Sequence, residues 1–364
     1  TKGRAQRQNQ NLAFSEDGVT WKKYAGNPVL DLGLADFRDP KVFWHAPSKR
    51  WVMVAVLAEQ RKATFYASPN LKTWTHLSDF GPAGATGGVW ECPDLFALGG
   101  RWVLKIGLNP GHVAGGSGEQ YFVGSFDGVR FHNESGTNEP LWVDYGRDCY
   151  CESTWNDDRS GEVHAIGWMS NWQYAGRAPT SPWRGAMTLP RSLALNANGR
   201  LLQTPVAALR SVRGEAFDYE GRDVEELNRK LEAWPHRSQT FELEATIQPG
   251  TARSIAWKLL AGEREYTLVG FDAAEKRIVV DRMHSAHTDF SPQFPSRTTA
   301  PLDIGGGPLA LHVFVDRSSI EVFAAGGRVV LTNLVFPNPD STGISLTVDG
   351  GVVDKAHVQV WNLR

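Results

Sequence analysis

Apolar and polar residues alternate in short runs along most of the chain. Phe241, Leu243, Ala245 and Ile247 share one face of a segment, and Leu309, Leu311, Val313 and Val315 repeat the pattern before Asp316-Arg-Ser-Ser-Ile-Glu-Val-Phe323. A period of two over about four to eight residues predicts β-strands with one buried face. Turn sequences at Asp340-Ser-Thr-Gly343 and Asp349-Gly-Gly351 then predict a two-sheet sandwich. One segment departs from this period. Val224, Leu227, Leu231 and Trp234 form a stripe at helical spacing, Asp223 stands where a helix cap belongs, and Glu226 completes a capping box. A single connector helix is expected there.

The N-terminal part carries a repeated turn: Ser15-Glu-Asp-Gly-Val-Thr-Trp21, Ser68-Pro-Asn-Leu-Lys-Thr-Trp74 and Ser125-Phe-Asp-Gly-Val-Arg-Phe131, with starts 53 and 57 residues apart. Each copy reads as a hairpin with an aromatic residue after the bend. A repeat of this length holding only strand-like segments fits a four-stranded propeller blade better than a helical repeat. The repeats stop near Arg200–Leu209. Three regions are therefore expected: a β-propeller part at 1–210, a linker with the helix at 211–236, and a β-sandwich at 237–364.

Composition narrows the function. The chain holds 14 Trp, 17 Phe and 8 Tyr beside 37 Gly and 20 Pro, the profile of many short strands and turns, often with aromatic platforms for sugars. Thirty-eight Lys+Arg against 40 Asp+Glu give a net charge of -2, which leaves no basic excess for a nucleic-acid partner. The longest apolar runs, such as Trp51–Leu57, are strand-sized and far below the roughly 20 residues of a membrane helix, so no membrane partner is expected. Three cysteines do not make a disulfide framework. Cys149 and Cys151 would share a strand face, and Cys-x-Cys without a second pair is a weak metal signal. Neither a metal nor another cofactor is expected. Thr1-Lys2-Gly3-Arg4 lacks an initiator Met and the apolar core of a signal peptide, so the chain is expected to begin inside a longer protein.

Two acidic motifs open apolar strands in neighbouring repeats: Phe37-Arg38-Asp39-Pro40 and Val89-Trp90-Glu91-Cys92-Pro93-Asp94. Inner strands of successive blades begin around a common channel, so Asp39 and Glu91, 52 residues apart, are expected to face one pocket. The prolines that follow restrict the backbone that carries them.

These motifs resemble glycoside hydrolase family 32, the retaining β-fructosidases. The likeness extends to Asn109-Pro-Gly-His-Val-Ala-Gly-Gly-Ser-Gly118, Gly167-Trp-Met-Ser-Asn-Trp-Gln-Tyr174, Pro182-Trp-Arg-Gly-Ala-Met-Thr-Leu-Pro-Arg191 and Asp316–Phe323, and runs from about Gln8 to the end. The Trp-Gln-Tyr and Pro-Trp-Arg-Gly segments are closest in kind to microbial levanases, exo-inulinases and invertases. The resemblance implies an all-β fold, a five-bladed propeller followed by a C-terminal sandwich. It implies Glu91 as general acid/base and Asp39 as transition-state stabiliser, with Arg38, Cys92, Trp172, Tyr174 and Trp183 binding the fructosyl unit of a fructose-containing oligo- or polysaccharide. Segment 109–118 would line the channel rim. An extracellular or periplasmic enzyme is expected.

The sequence departs from the family where a retaining mechanism needs its second carboxylate. The family places that nucleophile in a first-blade Trp-Met-Asn-Asp-Pro-Asn-Gly motif, which these 364 residues do not contain. Asn156-Asp157-Asp158-Arg159 has different neighbours and reads as an outer hairpin. About 210 residues at roughly 55 per blade fall short of five blades. The expectation is a propeller lacking its first blade and part of the second, inactive in isolation. Two other readings compete with fructose release: a non-catalytic fructan-binding protein, and an inverting arabinanase-like glycosidase. Asp148-Cys-Tyr-Cys-Glu152 also differs from the family, leaving Glu152 and both thiols without a role.

Overall fold

The computed structural model describes residues 7–137, 139–155 and 161–364; the Asn156–Arg159 segment lies outside them. The fold is a β-propeller followed by a β-sandwich. The chain gathers into two compact bodies, one of residues 1–112, 117–143 and 151–154, the other of 113–116, 144–150 and 155–364.

The first body holds two four-stranded meanders. Phe37–His45, Arg50–Leu57, Lys62–Ser68 and Thr75–Phe80 pair in chain order, as do Val89–Leu98, Arg101–Asn109, Gly118–Phe126 and Phe131–Asn133. Between them Val52, Val54, Val56, Phe65, Trp90, Leu104 and Ile106 form a fully buried core. The repeated turns behave as predicted and share one device. Asp17 Oδ1 accepts the N–H of Val19 and Thr20, Asn70 Oδ1 those of Lys72 and Thr73, and Asp127 Oδ1 those of Val129 and Arg130. A side-chain oxygen two residues after the serine thus closes each bend as an Asx turn. The two donated N–H groups hold Asp127 down at about 2.

In the second body, Val163–Met169, Arg191–Leu195 and Leu201–Pro205 pair side by side. The sandwich follows, one sheet of six strands and one of five. Phe241 pairs with Val315, Leu243 with Val313, Ala245 with Leu311 and Ile247 with Leu309, so both predicted stripes lie side by side in one buried core. The helix spans Val224–Ala233, the Asp223 carboxylate accepts the Glu226 N–H at 3.0 Å, and Leu227 and Leu231 are fully buried. Buried Arg191 joins its own strand to the sandwich through Glu321 (2.9 Å) and Thr332 (2.7 Å), and also pairs with Asp144 (3.2 Å).

The cysteines depart from expectation. Cys92 and Cys151 form a disulfide, and Cys149 is a buried thiol. Cys149 precedes the strand Tyr150–Trp155, and Cys151 has φ 50°, a left-handed kink that breaks the alternation needed for a shared face.

Candidate active site

The two acidic motifs sit on the first strand of each meander in the first body, and each strand bulges at its motif. Pairing skips from Arg38 to Lys41 in one and from Glu91 to Asp94 in the other. Asp39 (φ 56°) and Cys92 (φ 47°) are the left-handed residues of the two bulges. The position matching Asp39 is therefore Cys92, and Glu91 matches Arg38. The repeat is one residue longer than the carboxylate spacing, so Asp39 and Glu91 meet across the blades from non-equivalent places.

Arg38 joins them. Its Nη2 lies 3.2 Å from Glu91 Oε1 and its Nε 3.7 Å from Asp39 Oδ2, while Nη1 reaches Asp36 Oδ1 at 3.1 Å and Gln8 Oε1 at 3.3 Å. Asp39 Oδ2 also accepts the Cys92 N–H at 3.0 Å. The side chains of Arg38, Asp39 and Glu91 retain 20%, 32% and 20% exposure, enough for an incoming ligand to touch all three. Burial pushes Asp39 above the ordinary carboxylate range; the Cys92 N–H and Arg38 pull it back, and Glu91 adds to the rise. A partly desolvated carboxylate of this kind accepts strong hydrogen bonds from hydroxyls.

Next to the pair is a buried polar cluster that the sequence reading did not assign. Lys105 Nζ donates to the Glu152 carbonyl (2.7 Å) and to its Oε2 (2.8 Å), and lies 3.9 Å from Glu119 Oε2. Asp94 Oδ2 accepts from the backbone and hydroxyl of Thr154, and its Oδ1 sits 3.4 Å from Lys41 Nζ. Glu152 thus acquires a role as the carboxylate hydrogen-bonded to Lys105. Burial alone would pull Lys105 down, but Glu119, Glu152 and Asp94 hold its ammonium above the ordinary range. Burial pushes Glu119 up to about 8 against the opposing pull of Lys105. Adjacent strands bring these groups together, since Asp94 pairs with Lys105 and Gly107 with Glu119. Ionisable residues facing one another across apolar strands were the available signal.

In the second body, Trp172 and Trp183 are 57% and 52% exposed, and the Trp168 ring lies 4.9 Å from that of Trp172. Tyr174 is a correction. It is buried, its hydroxyl donates to Asp148 Oδ1 (2.7 Å) and accepts from Arg282 Nη2 (2.8 Å), and burial first, then Asp148, raises it well above the usual phenol range. It packs the body and offers no wall to a sugar. The Cys92 sulfur belongs to the disulfide, and its backbone N–H serves Asp39. Gly116 (φ 74°) leaves room for the Asn171 amide, which a Cβ there would strike. Among the described residues Glu242, Glu244 and His312 stand close enough to hold a metal ion, yet Arg213 already forks onto Glu242 and also meets Glu244, a cation that competes for the same oxygens.

Residues 1–205 match the family described as glycosyl hydrolases family 32 N-terminal domain, and residues 207–362 the family 32 C-terminal domain. The chain is 43% identical over 375 residues to a levanase of Bacillus subtilis (strain 168), covering 98% of the chain and 55% of that protein. It is 38% identical over 385 residues to an extracellular exo-inulinase of Aspergillus awamori, covering 98% of the chain and 72% of the relative. The crystal structure of exo-inulinase from Aspergillus awamori superposes with a TM-score of 0.89 at 35% identity, over 99% of this chain and 75% of the other. The β-fructofuranosidase of Schwanniomyces occidentalis in complex with fructosyl-erythritol superposes with a TM-score of 0.85 at 29% identity, over 98% and 76%.

Proposed function

The chain belongs to glycoside hydrolase family 32, and from that premise we propose that it carries the fructosyl site of a retaining β-fructosidase that releases fructose from levan, inulin or sucrose. The observation that carries this reading is Arg38 bridging Asp39 and Glu91 from adjacent blades. Glu91 protonates the glycosidic oxygen as the bond breaks and later takes a proton from the attacking water. Asp39 accepts hydroxyl hydrogen bonds that tighten as the sugar ring flattens toward the oxocarbenium-like transition state. Arg38 donates to Glu91 and forms an ion pair with Asp39, which fixes the two carboxylates relative to one another. The nucleophile is the aspartate that the family carries in its first-blade motif. The steps are proton transfer and covalent displacement at carbon, which these side chains perform without a cofactor.

Two relatives bear names that fit this substrate class, levanase and exo-inulinase. The chain spans about half the length of the first and 72% of the second. The exo-inulinase is named extracellular, and the disulfide suits an oxidising compartment. We place the protein outside the cytoplasm, in the medium or the periplasm. No helix among the described residues is long and apolar enough to cross a membrane.

The test is to join the chain to a first-blade segment bearing the Trp-Met-Asn-Asp-Pro-Asn-Gly aspartate and follow fructose release by NMR. β-Fructose as the first-formed anomer supports retention. The α anomer would favour the inverting reading, and tight fructan binding without release would favour a binding protein. The two exposed tryptophans give a further expectation. Trp172→Ala and Trp183→Ala should each raise KM for inulin by about three- to tenfold with a smaller change in kcat, the worth of one aromatic platform. Tyr174→Phe should leave KM unchanged and lower stability by about 1 kcal/mol through the lost hydroxyl bonds.

A further inference from the structure

Three strands, Phe37–His45, Val89–Leu98 and Tyr150–Trp155, carry a left-handed residue beside their polar groups: Asp39 (φ 56°), Cys92 (φ 47°) and Cys151 (φ 50°). The second and third are joined by a disulfide across 59 residues of chain, with Cα atoms 5.5 Å apart. Cys92 directly follows Glu91, and its N–H is the one that Asp39 Oδ2 accepts at 3.0 Å. Cys151 directly precedes Glu152, whose carboxylate and carbonyl are both fixed by buried Lys105. A non-glycine residue stays in the left-handed region only where its surroundings hold it there. The disulfide therefore ties the Cys92 backbone to the Lys105–Glu152 anchor. Both cysteines are half-buried, so a small thiol can reach the sulfurs.

We propose that Cys92 and Cys151 are positioning residues for the fructosyl site, their disulfide aiming the Cys92 N–H at Asp39, so that reduction weakens fructosyl binding. The inference rests on the reading of Asp39 as the acceptor of fructosyl hydroxyls. The chemistry is a simple exchange. Dithiothreitol supplies two electrons and two protons, the S–S bond breaks, two thiols form, and the reagent leaves as its cyclic disulfide. Asp39 then loses a donor that stabilises its charge, while its other neighbours remain: Arg38 on its own strand, Glu91 on the adjacent strand, and Asp36, which shares Arg38. Because the Cys92 N–H acts to lower Asp39, its loss lets burial raise the carboxyl further. The pH at which Asp39 ionises should move up.

The experiment is calorimetric titration of the chain with fructose from pH 4 to 8, before and after reduction with dithiothreitol and alkylation with iodoacetamide. Reduction should weaken binding by roughly tenfold, the worth of one charge-assisted hydrogen bond. It should also raise the acid midpoint of the binding curve by about one pH unit. A Cys92→Ala/Cys151→Ala variant should match the reduced chain and ignore dithiothreitol. Native mass spectrometry showing three free thiols would overturn the proposal outright. Unchanged affinity and midpoint after verified reduction, with the oxidised chain binding fructose, would overturn it while sparing the substrate reading. Binding in neither state would overturn both.

Discussion

Glu91→Gln, made in the chain joined to a first-blade segment that supplies the nucleophile, is expected to lower kcat/KM on levan or sucrose by about 10²- to 10⁴-fold. The amide retains an oxygen for Arg38 Nη2, which lies 3.2 Å from Oε1, so the site keeps its shape while losing the proton it must deliver. The deficit should be largest for sugar leaving groups, which leave poorly without protonation, and much smaller for an activated aryl fructoside. The alkaline limb of the kcat/KM profile should vanish with the ionisable acid. Asp39→Asn acts on a different step. It keeps the acid and an oxygen for the Cys92 N–H, but it weakens hydroxyl contacts that tighten in the transition state. Its kcat/KM should fall for every leaving group alike, and the alkaline limb should survive. In the unaltered protein the acid limb should stand above that of an ordinary carboxylate, since burial raises Asp39. Persistence of the alkaline limb in Glu91→Gln and its loss in Asp39→Asn would reverse the two assignments.

The parts legible in the sequence are those that local pattern governs. Alternation along Phe241–Gln248 and Leu309–Asp316 reported which face is buried, and the structure pairs those very residues. The Asx turns announced the hairpins because an Asp or Asn oxygen closes each bend within three residues. Asp39 and Glu91 were found through motif and repeat, although the spacing misplaced their register by one residue. A bulge inserts a residue into one strand without leaving a mark that repeat counting can see. The Cys92–Cys151 bond was hidden because it joins left-handed residues of two strands 59 residues apart, which come together only in the fold. Tyr174 was misread because a motif states that an aromatic ring is present but not which way it faces; Asp148 and Arg282 turn it inward. The Lys105 cluster was illegible because its hydrogen-bonded partner, Glu152, comes from a strand 47 residues away, and each member is unremarkable alone.

That cluster should govern stability and its dependence on pH. Lys105→Met keeps most of the volume but leaves Glu152, Asp94 and Glu119 buried without their shared cation, and should cost about 3–5 kcal/mol in denaturant unfolding near neutral pH. The deficit should depend on pH in a definite direction. Glu119 is an acid whose folded value, about 8, lies above its ordinary 4.5, so the folded state binds the proton more tightly than the unfolded one. Its contribution to stability is full below about 4.5 and is lost as pH rises through about 8. Glu119→Gln should therefore flatten the decline in stability between pH 5 and 9. In Lys105→Met the decline should steepen, because Lys105 is the group that eases ionisation of Glu119. Unfolding curves at pH 5 and pH 9 separate charge from packing. A deficit that grows with pH, and is partly recovered by adding Glu152→Gln, identifies an electrostatic cluster that holds the strand of Cys151 in place. Equal deficits at both values would reduce Lys105 to a space-filling side chain, and the Glu152 anchor behind the candidate site would lose its physical basis.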